Sequence, residues 1–368
     1  CNKKGCGELE ISEPLTRRIL RVAEFSWLTC RPRQPPSRLE PHASPAAQPA
    51  QAMGAAVEEG AGTPVSGPVA VTACTAMALL YVGILYSPTA LLRLPPPTTL
   101  NSFLIRRFVC AAVASVASMV ACAALLGIRS LEAAPSILAI FGMRLDHLGS
   151  AVVFPTLLTS FLYTGSLVSK LLLLTHSGNG AGTCLRGELT SVARDVIDSI
   201  NKLAANVLTW RNYVVAPFTE EVVFRACMIP LLLCGGFKTY NVIFFTPIFF
   251  SLAHLNHFLE LYCQRDYSFV RAFMIVGLQL GYTVIFGWYA SFLFIRTGNL
   301  ICPIVAHIFC NMMGLPILSS LHAKALTRIA FVVGLLGFFL LLLPITRPGM
   351  YNKRVDNCRC WHRYCDWD

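Results

Sequence analysis

The chain shows no sustained apolar order until about residue 69. From there, apolar runs of spanning length follow one another at 69–92, 107–128, 148–169, 239–259, 272–295, 297–323 and 329–346. A helix needs roughly 17 to 25 predominantly apolar residues to cross a bilayer, so each run predicts a membrane helix. An eighth, atypical helix is predicted at 217–233, "PFTEEVVFRACMIPLLL", where an apolar run carries Glu220, Glu221 and Arg225 in its first turns. The pattern predicts an all-α, polytopic membrane protein with about eight transmembrane helices around an intramembrane polar cavity. Between the third run and the charged helix, Leu189, Val192, Val196, Ile197, Ile200 and Leu203 recur at helical spacing with charges opposite, which suits an amphipathic helix at the membrane surface.

Three divisions follow. Residues 1–65 are rich in Pro, Ala, Ser and charge and begin with Cys1, with the first methionine at Met53, so they are expected to be disordered or a non-native leader. Residues 66–346 form the membrane-embedded domain, with the polar motifs concentrated in 205–322. Residues 347–368 are a polar, cysteine-containing tail.

Composition agrees: 55% of the 368 residues are hydrophobic and 13% charged, against about a quarter charged in soluble proteins. The net charge of +11 lies in the N-terminal segment, the loops and the tail. It is not gathered in one stripe with interleaved aromatics, so the partner it suggests is anionic lipid and not nucleic acid. Both sets of alternate loops carry Lys or Arg, so orientation is not fixed. Cys110, Cys122 and Cys227 lie inside apolar runs as small hydrophobes, and no disulfide framework is implied. In the tail, Cys358, Cys360, His362 and Cys365 match no usual zinc spacing, which leaves a solvated tail as the expectation.

The charges in the eighth helix need a cause, because an ionised group at mid-bilayer costs about 2.5 to 3.5 kcal/mol on insertion scales. Positions i and i+4 share a helix face, so Glu221 and Arg225 are expected to pair while Glu220 points about 100° away and stays available as a base. The plainer alternative is an interfacial helix start, with Thr219 as cap and the acids favouring the N-terminal dipole. Two further apolar runs carry polar groups. "FFSLAHLNHF" contains Phe250, His254 and His257, and "ICPIVAHIFCNMMG" sets His307 and Asn311 on one helix face.

Two chemistries fit these groups. In one, Glu220 and His254 share a water that becomes a nucleophile, while His307 and Asn311 donate to the oxyanion forming on a peptide carbonyl. In the other, His254, His257 or His307 joins a carboxylate around zinc. The metal-free arrangement is favoured because HExxH is missing: His254 and His257 are at i and i+3, with Leu255 where the glutamate should stand. No GxSxG elbow is present to supply a serine nucleophile.

EExxxR at Glu220 to Arg225, FxxxH at Phe250 to His254 and HxxxN at His307 to Asn311, in that order, resemble the type II CAAX prenyl endopeptidases, the Ras-converting enzymes among the ABI-type intramembrane proteases. The resemblance is close over 205–350, including "LFIRTGNLICPIVAHIFCNMMG" and "PITRP" at 344–348, and fades towards the N-terminus. It implies a plant-like or algal, eight-helix, multi-pass enzyme of the endoplasmic reticulum membrane that needs no metal or other cofactor. Its partners would be farnesylated or geranylgeranylated C-a-a-X proteins, from which it removes the last three residues, together with membrane lipids. By the same resemblance Glu220 and His254 activate water, His307 and Asn311 form the oxyanion hole, Glu221 and Arg225 organise the site, and Phe250 supports it. His257 lies outside the matched motifs and receives no role. A proton-coupled transporter could use similar intramembrane carboxylates and histidines, but no repeated half is visible. A non-catalytic scaffold is the third class, and the filled catalytic positions argue against it.

Overall fold

The computed structural model of the chain describes residues 65–84, 95, 97–127, 138–145, 147–177, 206–252, 268–314 and 325–351. Among them all regular structure is helical. In chain order these are α1 (Gly67–Ile84), α2 (Leu100–Leu125), α3 (Leu148–Leu162) and α4 (Thr164–Ser177). Next comes α5 (207–234), one continuous rod that changes register along its length: α over Val207–Trp210, π over Arg211–Val215, α over Ala216–Glu221, π over Val222–Cys227 and α over Met228–Cys234. The set closes with α6 (Thr239–Leu252), α7 (Phe269–Thr297), α8 (Ile301–Met313) and α9 (Ala325–Ile345).

Four of these, α1, α2, α7 and α9, are long and apolar enough to cross a membrane unaided. The expected single span at 148–169 is instead two helices, α3 and α4, bent by 74°, and they make a fifth crossing if taken as one. The break has a local cause. Tyr163 closes α3 with a three-residue N–H bond to Ser160, and the Thr164 hydroxyl takes the Phe161 carbonyl at 2.8 Å. A helix of α9 crosses at this corner through Gly334, where any Cβ would run into the Phe161 carbonyl and the Thr164 side chain. Shorter apolar helices α6 and α8 lie in the expected runs at 239–259 and 297–323, of which 253–259 and 315–323 are outside the described residues.

The exterior is apolar, and a polar cluster lies inside a largely apolar core. Val109, Val113, Val116 and Val120 of α2 and Leu336, Phe339, Leu340 and Leu343 of α9 are exposed along one side of each helix, while Arg225, Glu221, Thr219 and His307 are buried. In water such surfaces would associate; facing lipid they have no reason to. The chain is thus a multi-pass membrane protein, as its hydropathy predicts.

The helix α5 sits at the centre. Every residue from Glu221 to Cys234 is buried, the pattern of a helix enclosed on all sides. α1, α2, α6, α7 and α8 surround it, and α3, α4 and α9 pack behind α8. Two thiols reach into it: Cys122 on α2 donates to the Cys227 carbonyl at 3.4 Å and Cys74 on α1 to the Met228 carbonyl at 3.8 Å. Gly298, at φ 62, ends α7, and the Asn299 side chain then accepts from the Ile301 N–H at 2.9 Å to start α8. This tight hairpin sets the register in which α8 presents His307 to α5.

Candidate active site

Proline shapes the charged part of α5. Over Arg211–Val215 the helix widens to π spacing, and the Ala216 N–H bonds the Arg211 carbonyl. The Asn212 carbonyl is then left over, because five residues on stands Pro217, which has no N–H. Asn311 of α8 supplies the missing donor, its Nδ2 meeting the Asn212 oxygen at 2.8 Å. One of the two Asn311 N–H groups is therefore spent on clamping α8 to α5. π segments inside α-helices recur at functional sites, and this one has an identifiable cause.

Thr219 does not cap a helix start. It lies inside α5 and donates to the Val215 carbonyl at 2.8 Å, which corrects the interfacial-cap alternative. Since its hydrogen is used there, the Tyr81 hydroxyl of α1 is the donor in the 2.9 Å bond between the two side chains. Its ring lies edge-on to Phe224 at 5.6 Å, so α1 is fixed to the turn carrying the two glutamates.

Those glutamates have different environments. Glu221 is fully buried and its Oε1 accepts from Arg225 Nη1 at 3.0 Å, the expected i, i+4 pair. The same oxygen meets His307 Nδ1 at 2.8 Å. A carboxylate only accepts, so Nδ1 carries the hydrogen and Nε2 points onward. Glu220 takes that side: its Oε2 is 3.8 Å from His307 Nε2, too far for a direct bond and a gap that one water spans. Side-chain exposure rises from 0% at Glu221 to 9% at His307 and 19% at Glu220, and Asn311 beyond them is exposed. The cluster opens on one side.

Arg225, only 1% exposed, is the largest fully buried side chain among the described residues. Among those residues its Nε and Nη2 have no hydrogen-bond acceptor. Aromatic faces stand there instead, with Phe250 at 5.0 Å and Phe286 at 5.9 Å from the guanidinium carbon. Phe250, the buried aromatic of the FxxxH pattern, belongs to α6 and also lies edge-on to Phe224.

The structure thus brings Glu220, Glu221, Arg225, Phe250, His307 and Asn311 together from α5, α6 and α8. His254 and His257 lie outside the described residues, as do the amphipathic stretch at 189–203 and the cysteines of the tail. Among the described residues no group of three or more His, Cys, Asp and Glu side chains has the arrangement of a metal site. Three contributors escaped sequence reasoning. Phe286 looks like ordinary core in an apolar helix, Tyr81 stands more than a hundred residues from its partner, and the leftover Asn212 carbonyl is invisible without the π register. For the last, the Pro217 position was the available signal.

Residues 202–313 match the family described as Type II CAAX prenyl endopeptidase Rce1-like. The CAAX prenyl protease 2 of Arabidopsis thaliana is 54% identical over 309 residues, covering 83% of this chain and 99% of the relative. Its Homo sapiens counterpart is 34% identical over 290 residues, covering 77% and 83%. That of Caenorhabditis elegans is 31% identical over 217 residues, 57% of this chain and 74% of the relative. No solved structure matches the chain.

Proposed function

The chain belongs to the type II CAAX prenyl endopeptidase family, and from that premise we propose that it cuts the C-terminal tripeptide from prenylated C-a-a-X proteins with a water activated by Glu220. That it is a CAAX prenyl protease, a hydrolase of the membrane, follows from the family itself. The residue roles, the cleavage position and an endoplasmic reticulum location are the proposal.

One observation carries it: a single imidazole stands between two carboxylates, tied to the buried one at 2.8 Å and 3.8 Å from the one that solvent reaches. Glu221 is committed to Arg225 and His307, so Glu220 is the base. It takes a proton from water as the oxygen attacks the scissile carbonyl carbon. The oxyanion that forms is met by His307 Nε2–H and the free N–H of Asn311. The site before attack then holds two carboxylates, Glu220 and Glu221, against two cations, Arg225 and the His307 imidazolium; once Glu220 is protonated, the oxyanion replaces its charge. The C–N bond breaks, and Glu220 returns its proton to the leaving amine. His254, by the family pattern, is the second partner of the water.

A prenylated C-terminus joins an apolar chain to a hydrated peptide, so it suits a polar cluster inside a lipid-facing bundle. The test uses purified full chain in liposomes, a farnesylated C-a-a-X peptide and its unprenylated twin. Cleavage of the prenylated peptide alone, undiminished by zinc chelators, is expected. Activity that disappears with chelation and returns with zinc would replace the water-base scheme with the metal one.

A further inference from the structure

We propose that Phe286 is a positioning residue of the active site, holding the His307 imidazole and the Arg225 guanidinium in the planes that the reaction needs. The inference deepens the endopeptidase reading and rests on it.

Phe286 is on α7, a helix that contributes no polar group to the cluster, and is itself 8% exposed. Its ring centre lies 4.8 Å from that of His307, with the planes tilted by 53°. The same ring faces Arg225 at 5.9 Å. Phe250 does the matching work from α6, at 5.0 Å from Arg225 and 6.5 Å from His307, with that imidazole nearly perpendicular at 81°. Two rings from two helices therefore bracket both cationic members of the site.

The covalent Cβ–Cγ link and the hydrogen bond from Nδ1 to Glu221 hold two points of the imidazole and leave a rocking of the ring about the line between them. That rocking decides how squarely Nε2 faces Glu220. Close aromatic walls on two sides remove that freedom, and they cover guanidinium nitrogens that find no acceptor among the described residues. Backbone geometry puts the bracket there. Gly287, next to Phe286, has no Cβ, and one built at that position would sit 2.5 Å from the Pro247 Cβ and 3.4 Å from Arg225 Nη2. Only glycine lets α7 approach α6 closely enough for both phenylalanines to reach the same pair of residues.

Phe286→Leu and Phe286→Tyr, prepared as full chains, are assayed on the farnesylated C-a-a-X peptide. A rocking imidazole weakens transition-state contacts more than substrate binding, so Phe286→Leu is expected to lower kcat at least about tenfold with KM within about twofold. Phe286→Tyr, which keeps the ring, is expected to retain kcat within about threefold. Ile285→Ala, at an exposed neighbour, is expected to change neither. If the leucine variant does not fold, Phe286→Met carries the same expectation. Native kcat in the leucine or methionine variant overturns the assignment, and so does a tyrosine variant as impaired as the leucine one. Absence of cleavage by the unsubstituted chain sinks the endopeptidase reading and this assignment with it, whereas an active parent with a fully active Phe286→Leu sinks the bracket alone.

Discussion

Neighbouring glutamates with opposite burial should respond oppositely to the same isosteric change. In Glu221→Gln the carboxylate that accepts from Arg225 at 3.0 Å and from His307 at 2.8 Å loses its charge, leaving a guanidinium that is 1% exposed without a counter-ion. Removing one partner of a buried ion pair costs about 3 to 5 kcal/mol. At roughly 2 to 4 °C per kcal/mol for domains of about 150 to 250 residues, and less for a chain of 368, that lowers the melting temperature by roughly 5 to 10 °C. Glu220→Gln breaks no direct bond, since the nearest charged partner is 3.8 Å away and the side chain is 19% exposed, so its melting temperature should move by no more than a few degrees. Its turnover, however, should fall by about a hundredfold to ten-thousandfold, the usual worth of a general base. Thermal unfolding in detergent beside single-turnover cleavage separates the two effects. The reasoning fails if Glu220→Gln melts as early as Glu221→Gln, or if Glu221→Gln melts like the native chain.

Asn311→Leu withdraws the donor from the Asn212 carbonyl and should cost about 1 kcal/mol together with a lower kcat; in a Pro217→Ala background, where residue 217 regains an N–H, denaturant unfolding should show a smaller cost. Gly287→Ala forces a Cβ to within 2.5 Å of Pro247, and an overpacking penalty of about 1 to 3 kcal/mol in the same unfolding assay should come with reduced turnover as α6 is pushed away. Tyr81→Phe loses the 2.9 Å bond to Thr219 and should lower stability by about 1 kcal/mol while cleavage stays within a few-fold of native.

Much of this was legible in the sequence because membrane physics makes polar residues conspicuous. Glu221 and Arg225 could be paired from i, i+4 spacing alone, and His307 with Asn311 could be placed on one face for the same reason. What escaped was whatever depends on a departure from that spacing or on an unremarkable apolar side chain. The two π segments of α5 keep the rod continuous while shifting its hydrogen-bond register, and no i+4 pattern records them. The corner at Tyr163 comes from Thr164 and from the packing of Gly334, neither of which interrupts the apolar run at 148–169. Nor could spacing say that His307 spends Nδ1 on Glu221, or that Asn311 spends one N–H on Asn212. Those partners are set by how α8 docks against α5.

If Glu220 delivers water directly to the scissile carbonyl, no covalent enzyme intermediate forms. Rapid quenching of a single turnover in ¹⁸O-labelled water, followed by mass spectrometry of both peptide and protein, decides this. The new carboxylate on the prenylated cysteine should carry one labelled oxygen, with the protein at its unmodified mass at every time point. A protein mass raised by the prenylated fragment, the mark of a covalent acyl intermediate, would contradict it.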